Sequence, residues 1–200
     1  MLSKPPASHP NIPASRRGSA LTTLTRTKNP SQLARAVYLS PEIVPHTTLS
    51  GHEAESVGKR LGIEQVDPSY FFTQDRWRKH RRGLGLPDYP YPPGQTPSED
   101  ETWETLDQMQ TGTVGAVALD CRGCIASVTS TGGGSNKMVG RIGDTAQMGS
   151  GFWAEEWKEK RFFQTVLKKL FGRRQTRAIG VSATGSGDVS FPSTLTLPRS

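Results

Sequence analysis

The chain has 200 residues, a formal net charge of +7, and a hydrophobic set that covers only 33% of its positions. This length suits one domain, and no apolar stretch approaches the roughly 18 residues that a membrane span needs. With no secretory signal pattern either, we expect a cytoplasmic protein. Residues 1–41 contain Arg and Ser but no Asp or Glu, as in a mitochondrial transit peptide, so import stays an alternative.

The first half of the chain predicts two short helices. In "KNPSQLARAVYLS", Asn29 is a candidate N-cap and Pro30 the first helical residue. "EIVPHTTLS" predicts a strand interrupted by Pro45, and "GHEAESVGKRLG" predicts a helix with Gly62 as its C-cap. The apolar residues that share one face are Leu33, Ala36 and Val37 in the first helix and Ala54, Val57 and Leu61 in the second.

Positive charge is concentrated in two blocks, "RWRKHRRG" at residues 76–83 and "KEKRFFQTVLKKLFGRRQTR" at residues 158–177. Aromatic rings among cations can stack on bases, so a basic nucleic-acid-binding protein is one alternative. No nucleic-acid motif with defined spacing accompanies either block, and a solvated charge run is the commoner outcome. We therefore do not expect nucleic acid to be the partner.

The second half begins after a Pro-rich, acidic linker at residues 87–112. "VGAVALD", the turn "CRGC" and "IASVTST" predict a hairpin buried on both faces. A glycine-rich loop, "GGGSNKMVGRIGD", follows, then a helix in "FFQTVLKKLF" and a strand in "AIGVSATGSGD". Strands that alternate with helices indicate a mixed α and β protein with layered packing.

The Gly-Thr step at Gly112 and Thr113 stands at the mouth of this hairpin. A Thr hydroxyl is a poor nucleophile unless a base takes its proton, and a free α-amino group on the same residue can be that base. Its pKa of roughly 7.7 to 8 suits proton transfer in both directions. Gly112 tolerates the strained backbone that self-cleavage requires. A Thr that opens a strand is ordinarily only a β-former, so both interpretations stay open at this point.

Cys121 and Cys124 form a C-x-x-C pair in the predicted turn. Such a pair can be redox-active or half of a zinc site, but no second pair accompanies it. The four histidines show no ligand spacing. We expect no metal site and no cofactor.

"TGTVGAVALDCRGCIASVTSTGG", followed by "SNK" and "GRIGD", resembles the start of the β subunit in plant-type asparaginases, also called isoaspartyl peptidases. "KNPSQLARAV" and "VDPSYFFTQDRW" are similar to the same family's α subunit, and "GSGFWAEEW" is similar to its fungal members. The resemblance extends from about Ala20 to Asp188. It implies an αββα sandwich of the N-terminal nucleophile hydrolase type, whose precursor cleaves itself to expose a threonine.

By position, the resemblance implies that Thr113 is the nucleophile and the new N-terminus, freed by cleavage after Gly112. Thr131 would lie beside it and tune its hydroxyl. Arg141 would bind the substrate's α-carboxylate through a bidentate pair, and Asp144 would receive its α-ammonium.

Thr184 and Gly185 match the Thr-Gly pair that forms the oxyanion hole and contacts the substrate in this family, and Gly187 would keep that turn open. One such donor is commonly worth about 3 kcal/mol of barrier. The implied reaction is hydrolysis of asparagine or of a β-aspartyl peptide through an acyl-enzyme. Homodimers of cleaved protomers are also implied.

The sequence departs from the family at both ends. It lacks the His-Gly-Gly-Ala-Gly-like opening strand and the loop that can hold a monovalent cation, and it ends in a Ser/Thr/Pro-rich segment. We expect a disordered tail at residues 1–19, a partial α-subunit region at 20–112, a partial β-subunit region at 113–188 and a second tail at 189–200. The sandwich would then be incomplete, so an inactive relative is the main alternative to an active enzyme.

Overall fold

The computed structural model describes residues 12, 16–87, 112–121, 123–158 and 176–185. The elements of the first half are β1 (Ala20–Thr22), α1 (Pro30–Leu39), β2 (Thr48–Ser50), α2 (Gly51–Arg60), a 3₁₀ turn (Pro68–Phe71) and α3 (Gln74–Gly83). Those of the second half are β3 (Val114–Leu119), β4 (Ile125–Ser130), a 3₁₀ turn (Asp144–Ala146), β5 (Phe152–Lys158) and β6 (Thr176–Ser182). Mixed helix and strand content is therefore confirmed.

The two predicted helices are confirmed, and they form the apolar core of the first half. α1 begins at Pro30, where the missing N–H is no loss, and it buries Leu33 and Val37 completely. α2 contributes Val57, and Val44 between the helices completes the cluster. Gly62 has a φ of +75° just after α2, which is the left-handed conformation of a helix terminus.

Arg16 connects the chain upstream of β1 to the end of α1. Its side chain is only 4% exposed and donates to the carbonyls of Val37 at 2.7 Å and Tyr38 at 3.0 Å. Ser19 likewise donates to the carbonyl of Ala34 at 2.7 Å. Arg16, Gly18 and Ser19 are thus buried, although the sequence assigned them to a disordered tail. That tail boundary needs correction, because carbonyls of α1 accept hydrogen bonds from the Arg16 and Ser19 side chains.

The strand expected at residues 42–50 is shorter than predicted. Only Thr48–Ser50 forms a strand, β2, which pairs in parallel with β1. Glu55 of α2 then holds the loop after β1, because its carboxylate accepts from the backbone N–H groups of Thr25 and Arg26, both at 2.5 Å. The register of this small sheet places the first residues of α2 directly after the paired strand.

The predicted hairpin is confirmed as β3 and β4, which pair antiparallel from Val114 opposite Ser130 to Leu119 opposite Ile125. A second antiparallel hairpin pairs β5 with β6. The two hairpins pack face to face, because a Cβ atom on Gly180 would lie 2.5 Å from Val117 and 2.9 Å from Ile125. Two β layers therefore lie in contact, and α1 also contacts β4.

The expectation that the first hairpin is buried on both faces was wrong. Each residue of β3 is exposed, including Val114 at 69% and Leu119 at 68%. In the described part of the chain, β3 has β4 as its one strand neighbour, and β6 contacts it near Gly115 and Val117. β4 is better covered, with Ile125 and Ser127 buried.

The basic block at residues 76–83 forms α3 instead of a solvated charge run. Thr73 caps this helix by accepting from the Arg76 N–H at 3.4 Å. Arg76 donates to the carbonyl of Gly133 at 3.4 Å and to Ser135 at 3.3 Å, and His80 hydrogen-bonds Asn136. α3 therefore lies against the glycine-rich loop that follows β4.

Several predictions fall outside the described residues, namely the helix in "FFQTVLKKLF" and the linker and tails except residues 12, 16–19, 87 and 112. Two short hairpins and the contact of α1 with β4 do not by themselves amount to a four-layer sandwich. Among the residues that the structure describes, no helix has the length and apolar character to cross a bilayer.

Candidate active site

Thr113 and Thr131 lie at the same end of the first hairpin. The ladder ends at the pair of Val114 and Ser130, so continuing its register by one residue would bring these two threonines opposite each other. Directly opposite residues have Cβ atoms about 4.5 to 5.5 Å apart while the strands stay paired. Thr113 is half-buried, whereas Thr131 is exposed and its hydroxyl accepts from the Gly133 N–H at 3.1 Å. Gly112, on the other side of the predicted cleavage point, is exposed.

Asp144 begins the 3₁₀ turn between the two hairpins, and its side chain is only 7% exposed. Its Oδ2 atom is buried with no hydrogen-bond partner among the described residues. A buried carboxylate oxygen without a donor is costly, so this atom is ready to accept from a cation or an N–H group. Arg141 is half-buried three residues earlier, and its guanidinium lies 3.6 Å from the position that a Cβ on Gly143 would take.

Thr184 and Gly185 follow β6 and are exposed. Gly187 lies outside the described residues. Side chains alternate along a strand, so Thr184 has the same orientation as Ser182 for as long as β6 stays extended. Ser182 faces the first hairpin, because a Cβ on Gly115 would overlap its hydroxyl.

A short hydrogen-bond network connects the two hairpins beside these residues. The hydroxyls of Thr129 on β4 and Ser182 on β6 are 2.7 Å apart. Thr129 also bonds to the carbonyl of Gly151 at 2.9 Å, and the same carbonyl accepts from the Ala183 N–H at 3.0 Å. Gly151 in turn lies against the backbone of Asp144, where no side chain would fit. The network therefore joins β4, β6 and the Asp144 turn.

Sequence reasoning did not identify Thr129, Ser182 or Gly151 as parts of the site. Thr129 is two residues before Thr131, and Ser182 is two before Thr184. Period-two alternation would have placed each of them on the same face as its predicted neighbour. Their direct contact depends on how the hairpins pack, which no local pattern contains.

The described residues hold no group of three or more His, Cys, Asp or Glu side chains that could bind a metal ion. Cys121 and Cys124 are both free thiols in the turn between β3 and β4, at the end of the hairpin away from Thr113. The absence of a cofactor stays a prediction. The polar groups at the opposite end are hydroxyls, a carboxylate, a guanidinium and backbone N–H groups, a set suited to acyl transfer on an amino-acid-like substrate.

Comparison with known proteins identifies the class. A family model described as "Asparaginase" matches residues 13–158. The chain belongs to this asparaginase family, which confirms the resemblance found in the sequence. The match also begins before Arg16, in agreement with the packed segment upstream of β1.

Individual relatives agree with the family model. The chain is 42% identical over 127 residues to the isoaspartyl peptidase/L-asparaginase of Mus musculus, which covers 64% of this chain and 34% of the mouse protein. It is 33% identical over 192 residues to a probable isoaspartyl peptidase/L-asparaginase of Arabidopsis thaliana, covering 90% and 51%. For the isoaspartyl peptidase of Escherichia coli, the identity is 32% over 178 residues, covering 86% and 44%. The chain thus spans about a third to a half of the length of these relatives.

Proposed function

We propose that the chain is an asparaginase-like threonine hydrolase that cleaves itself between Gly112 and Thr113. The freed α-amine of Thr113 then takes the proton of its own hydroxyl. The hydroxyl oxygen attacks the carbonyl carbon of the asparagine side-chain amide or of the β-aspartyl peptide bond. The C–N bond then breaks, and ammonia or the peptide's amine leaves with the proton that the α-amine of Thr113 had taken. Water hydrolyses the resulting ester and restores the threonine.

The observation that carries this proposal is the packing between the two hairpins. Gly115 faces Ser182 and Val117 faces Gly180, so a step of two along β3 corresponds to a step of minus two along β6. Continued in the other direction, the same step would bring Thr113 opposite Thr184. Continued outward by one residue, the β3–β4 register would bring Thr113 beside Thr131. The nucleophile would therefore lie among the two other threonines that the family resemblance selects.

The substrate's charges would be read by Arg141 and Asp144. The Oδ2 atom of Asp144 is buried and has no hydrogen-bond partner among the described residues, which supports a role in accepting an ammonium group. The guanidinium of Arg141 would grip the α-carboxylate in a bidentate pair. Thr184 and Gly185, with Gly187 outside the described residues, would supply the oxyanion donors and the substrate turn. An αββα sandwich, a homodimer of cleaved protomers and a cytoplasmic location remain part of this proposal.

The proposal is tested by the intact mass of the purified chain after prolonged incubation, beside Thr113→Ala and Thr113→Ser. We expect two fragments, residues 1–112 and 113–200, in the unaltered chain and slower cleavage in Thr113→Ser. Thr113→Ala should stay whole. Assays on asparagine and β-aspartyl dipeptides then separate the two substrate classes. An unaltered chain that folds but stays whole would instead make it an inactive relative.

The nucleic-acid alternative loses support from α3. Arg78 of this helix is buried, and Arg76 contacts the loop after β4. The block is thus partly used for packing within the protein. Binding to duplex DNA that weakens steeply with salt would revive this alternative, because phosphate contacts release counterions.

A further inference from the structure

We propose that the hydroxyl pair of Thr129 and Ser182 is a positioning unit for the active site. Acting with the Gly151 carbonyl, it would hold the nucleophile strand, the Thr184 turn and the Asp144 turn at fixed distances from one another. Neither residue touches substrate in this role. The inference rests on the proposed function, in that the segments it positions are those assigned to catalysis.

Thr129 and Ser182 lie on strands of different hairpins, each close in sequence to a threonine of the candidate site. Thr129 lies on β4, opposite Gly115 and two residues before Thr131. Ser182 is the last residue of β6 and two residues before Thr184. Each hydroxyl therefore belongs to a residue that lies two positions before a threonine of the candidate site. A bond of 2.7 Å between them crosses from one β layer to the other.

Gly115 on β3 lies in close contact with Ser182 on β6. The Ser182 hydroxyl occupies the space where a side chain of residue 115 would lie, so any residue larger than glycine would displace it. Gly115 is itself two residues after Thr113. The start of β3 is thus held against Ser182. The orientation of Thr113, just before β3, follows from this contact.

The carbonyl of Gly151 is shared by β4 and the segment after β6. It accepts from Thr129 at 2.9 Å and from the Ala183 N–H at 3.0 Å. Ala183 is the residue directly before Thr184, so this second hydrogen bond fixes the start of the Thr184 turn. The backbone of Gly151 lies on that of Asp144, which transmits the same constraint to the carboxylate.

A nearby serine shows that the pair is not simply a feature of the strand. Ser127 lies on the same strand, two residues before Thr129, and is buried, whereas Thr129 is half-buried. Its hydroxyl has no hydrogen-bond partner among the described residues. Ser127→Ala therefore removes a buried hydroxyl from β4 without removing a hydrogen bond between described residues, and it is the matched control.

The test compares Thr129→Val, Ser182→Ala, the double variant, Thr129→Ser and the control Ser127→Ala in the full chain. We expect Thr129→Val and Ser182→Ala to slow self-cleavage and kcat about ten- to a hundredfold, since small misplacements are costly, while KM stays within about twofold. The double variant should be no slower than the worse single one, because the two hydroxyls act as a unit. Thr129→Ser and Ser127→Ala should retain the unaltered rate.

A second measurement works even if the unaltered chain proves inactive. In spectra of ¹³C-labelled threonine methyl groups, Ser182→Ala should shift the signals of Thr113 and Thr184, and Ser127→Ala should leave them in place. Absence of that shift overturns the positioning role whether or not the chain cleaves. So would an unaltered cleavage rate in both Thr129→Val and Ser182→Ala, or an equal loss in Ser127→Ala. Failure of cleavage in the unaltered chain alone overturns the proposed function only.

Discussion

The α1–α2 core and the β3–β4 hairpin are stabilised in different ways. Leu33 and Val37 on α1 are completely buried, whereas Val114 and Leu119 on β3 are largely exposed. The helices are therefore held by apolar burial, which is non-directional and tolerant of small shifts. The hairpin that carries the candidate nucleophile depends more on a few specific contacts across the β layers. Stability and the geometry of the site thus reside in different parts of the chain.

The strongest test of this difference is truncation of one leucine in each region. Leu33→Ala should destabilise the protein by about 2–5 kcal/mol, because it leaves a cavity in a closed core. Leu119→Ala should change the free energy of unfolding by no more than about 0.5 kcal/mol, as for most surface positions. Urea unfolding followed by far-UV circular dichroism measures both. Equal losses would mean that β3 is covered in solution.

The contact between the β layers is tested at Gly115. Gly115→Ala should cost about 1–3 kcal/mol, because its methyl group overlaps the Ser182 hydroxyl in a packed interface. Gly134→Ala is the control, since a Cβ there has nothing within 4 Å. Adding Ser182→Gly to Gly115→Ala should recover part of the loss. Identical stabilities for the two alanine variants would disprove the close approach.

Arg16 offers a test of similar size on the helical side of the comparison. Arg16→Met keeps much of the stem but leaves the carbonyls of Val37 and Tyr38 without their buried donor. We expect a loss of about 1–3 kcal/mol in thermal or urea unfolding. The exposed neighbour allows the control Arg17→Met, which should be nearly neutral. A neutral result for Arg16 as well would return residues 16–19 to the tail.

The elements that the sequence predicted correctly are those specified by residues close together in the sequence. Pro30 sets the start of α1, Gly62 ends the region of α2, and the turn at Cys121–Cys124 joins two runs of β-forming residues. Capping and period-two or helical spacing are properties of neighbouring residues. They can therefore be read without any knowledge of tertiary packing.

The elements that were missed depend on distant partners. β1 has three residues and pairs with β2, which begins 28 positions later in the sequence. α3 lacks an apolar face, and polar contacts from Arg76 and His80 attach it to the loop after β4. The site followed from family resemblance, whereas its connection through Thr129 and Ser182 required the packing of two hairpins. Local patterns contain none of these long-range choices.

The smallest predicted effect concerns Glu55, which connects α2 to the loop after β1. Burial alone would raise the pKa of this carboxyl, but backbone N–H groups of Arg26, Thr25 and Thr27 and the Thr25 hydroxyl outweigh it, so the pKa lies below the ordinary 4.5. The ionised carboxylate therefore stabilises the folded state at pH values above the ordinary pKa. This contribution is lost as the pH falls through the lower, folded-state pKa.

Glu55→Gln should accordingly be less stable than the unaltered chain at pH 7, and the difference should shrink as the pH falls below the ordinary carboxyl pKa of 4.5. Glu53→Gln, on the same helix with an exposed side chain, is the matched control for the loss of one carboxylate and should change the stability only slightly. Urea unfolding of the three proteins across this pH range measures the effect. A difference that stays constant with pH would assign the loss to packing of the side chain. A difference that shrinks would mean that a charged, directional contact also stabilises the helical half. Both regions would then combine apolar burial with specific hydrogen bonds, in different proportions.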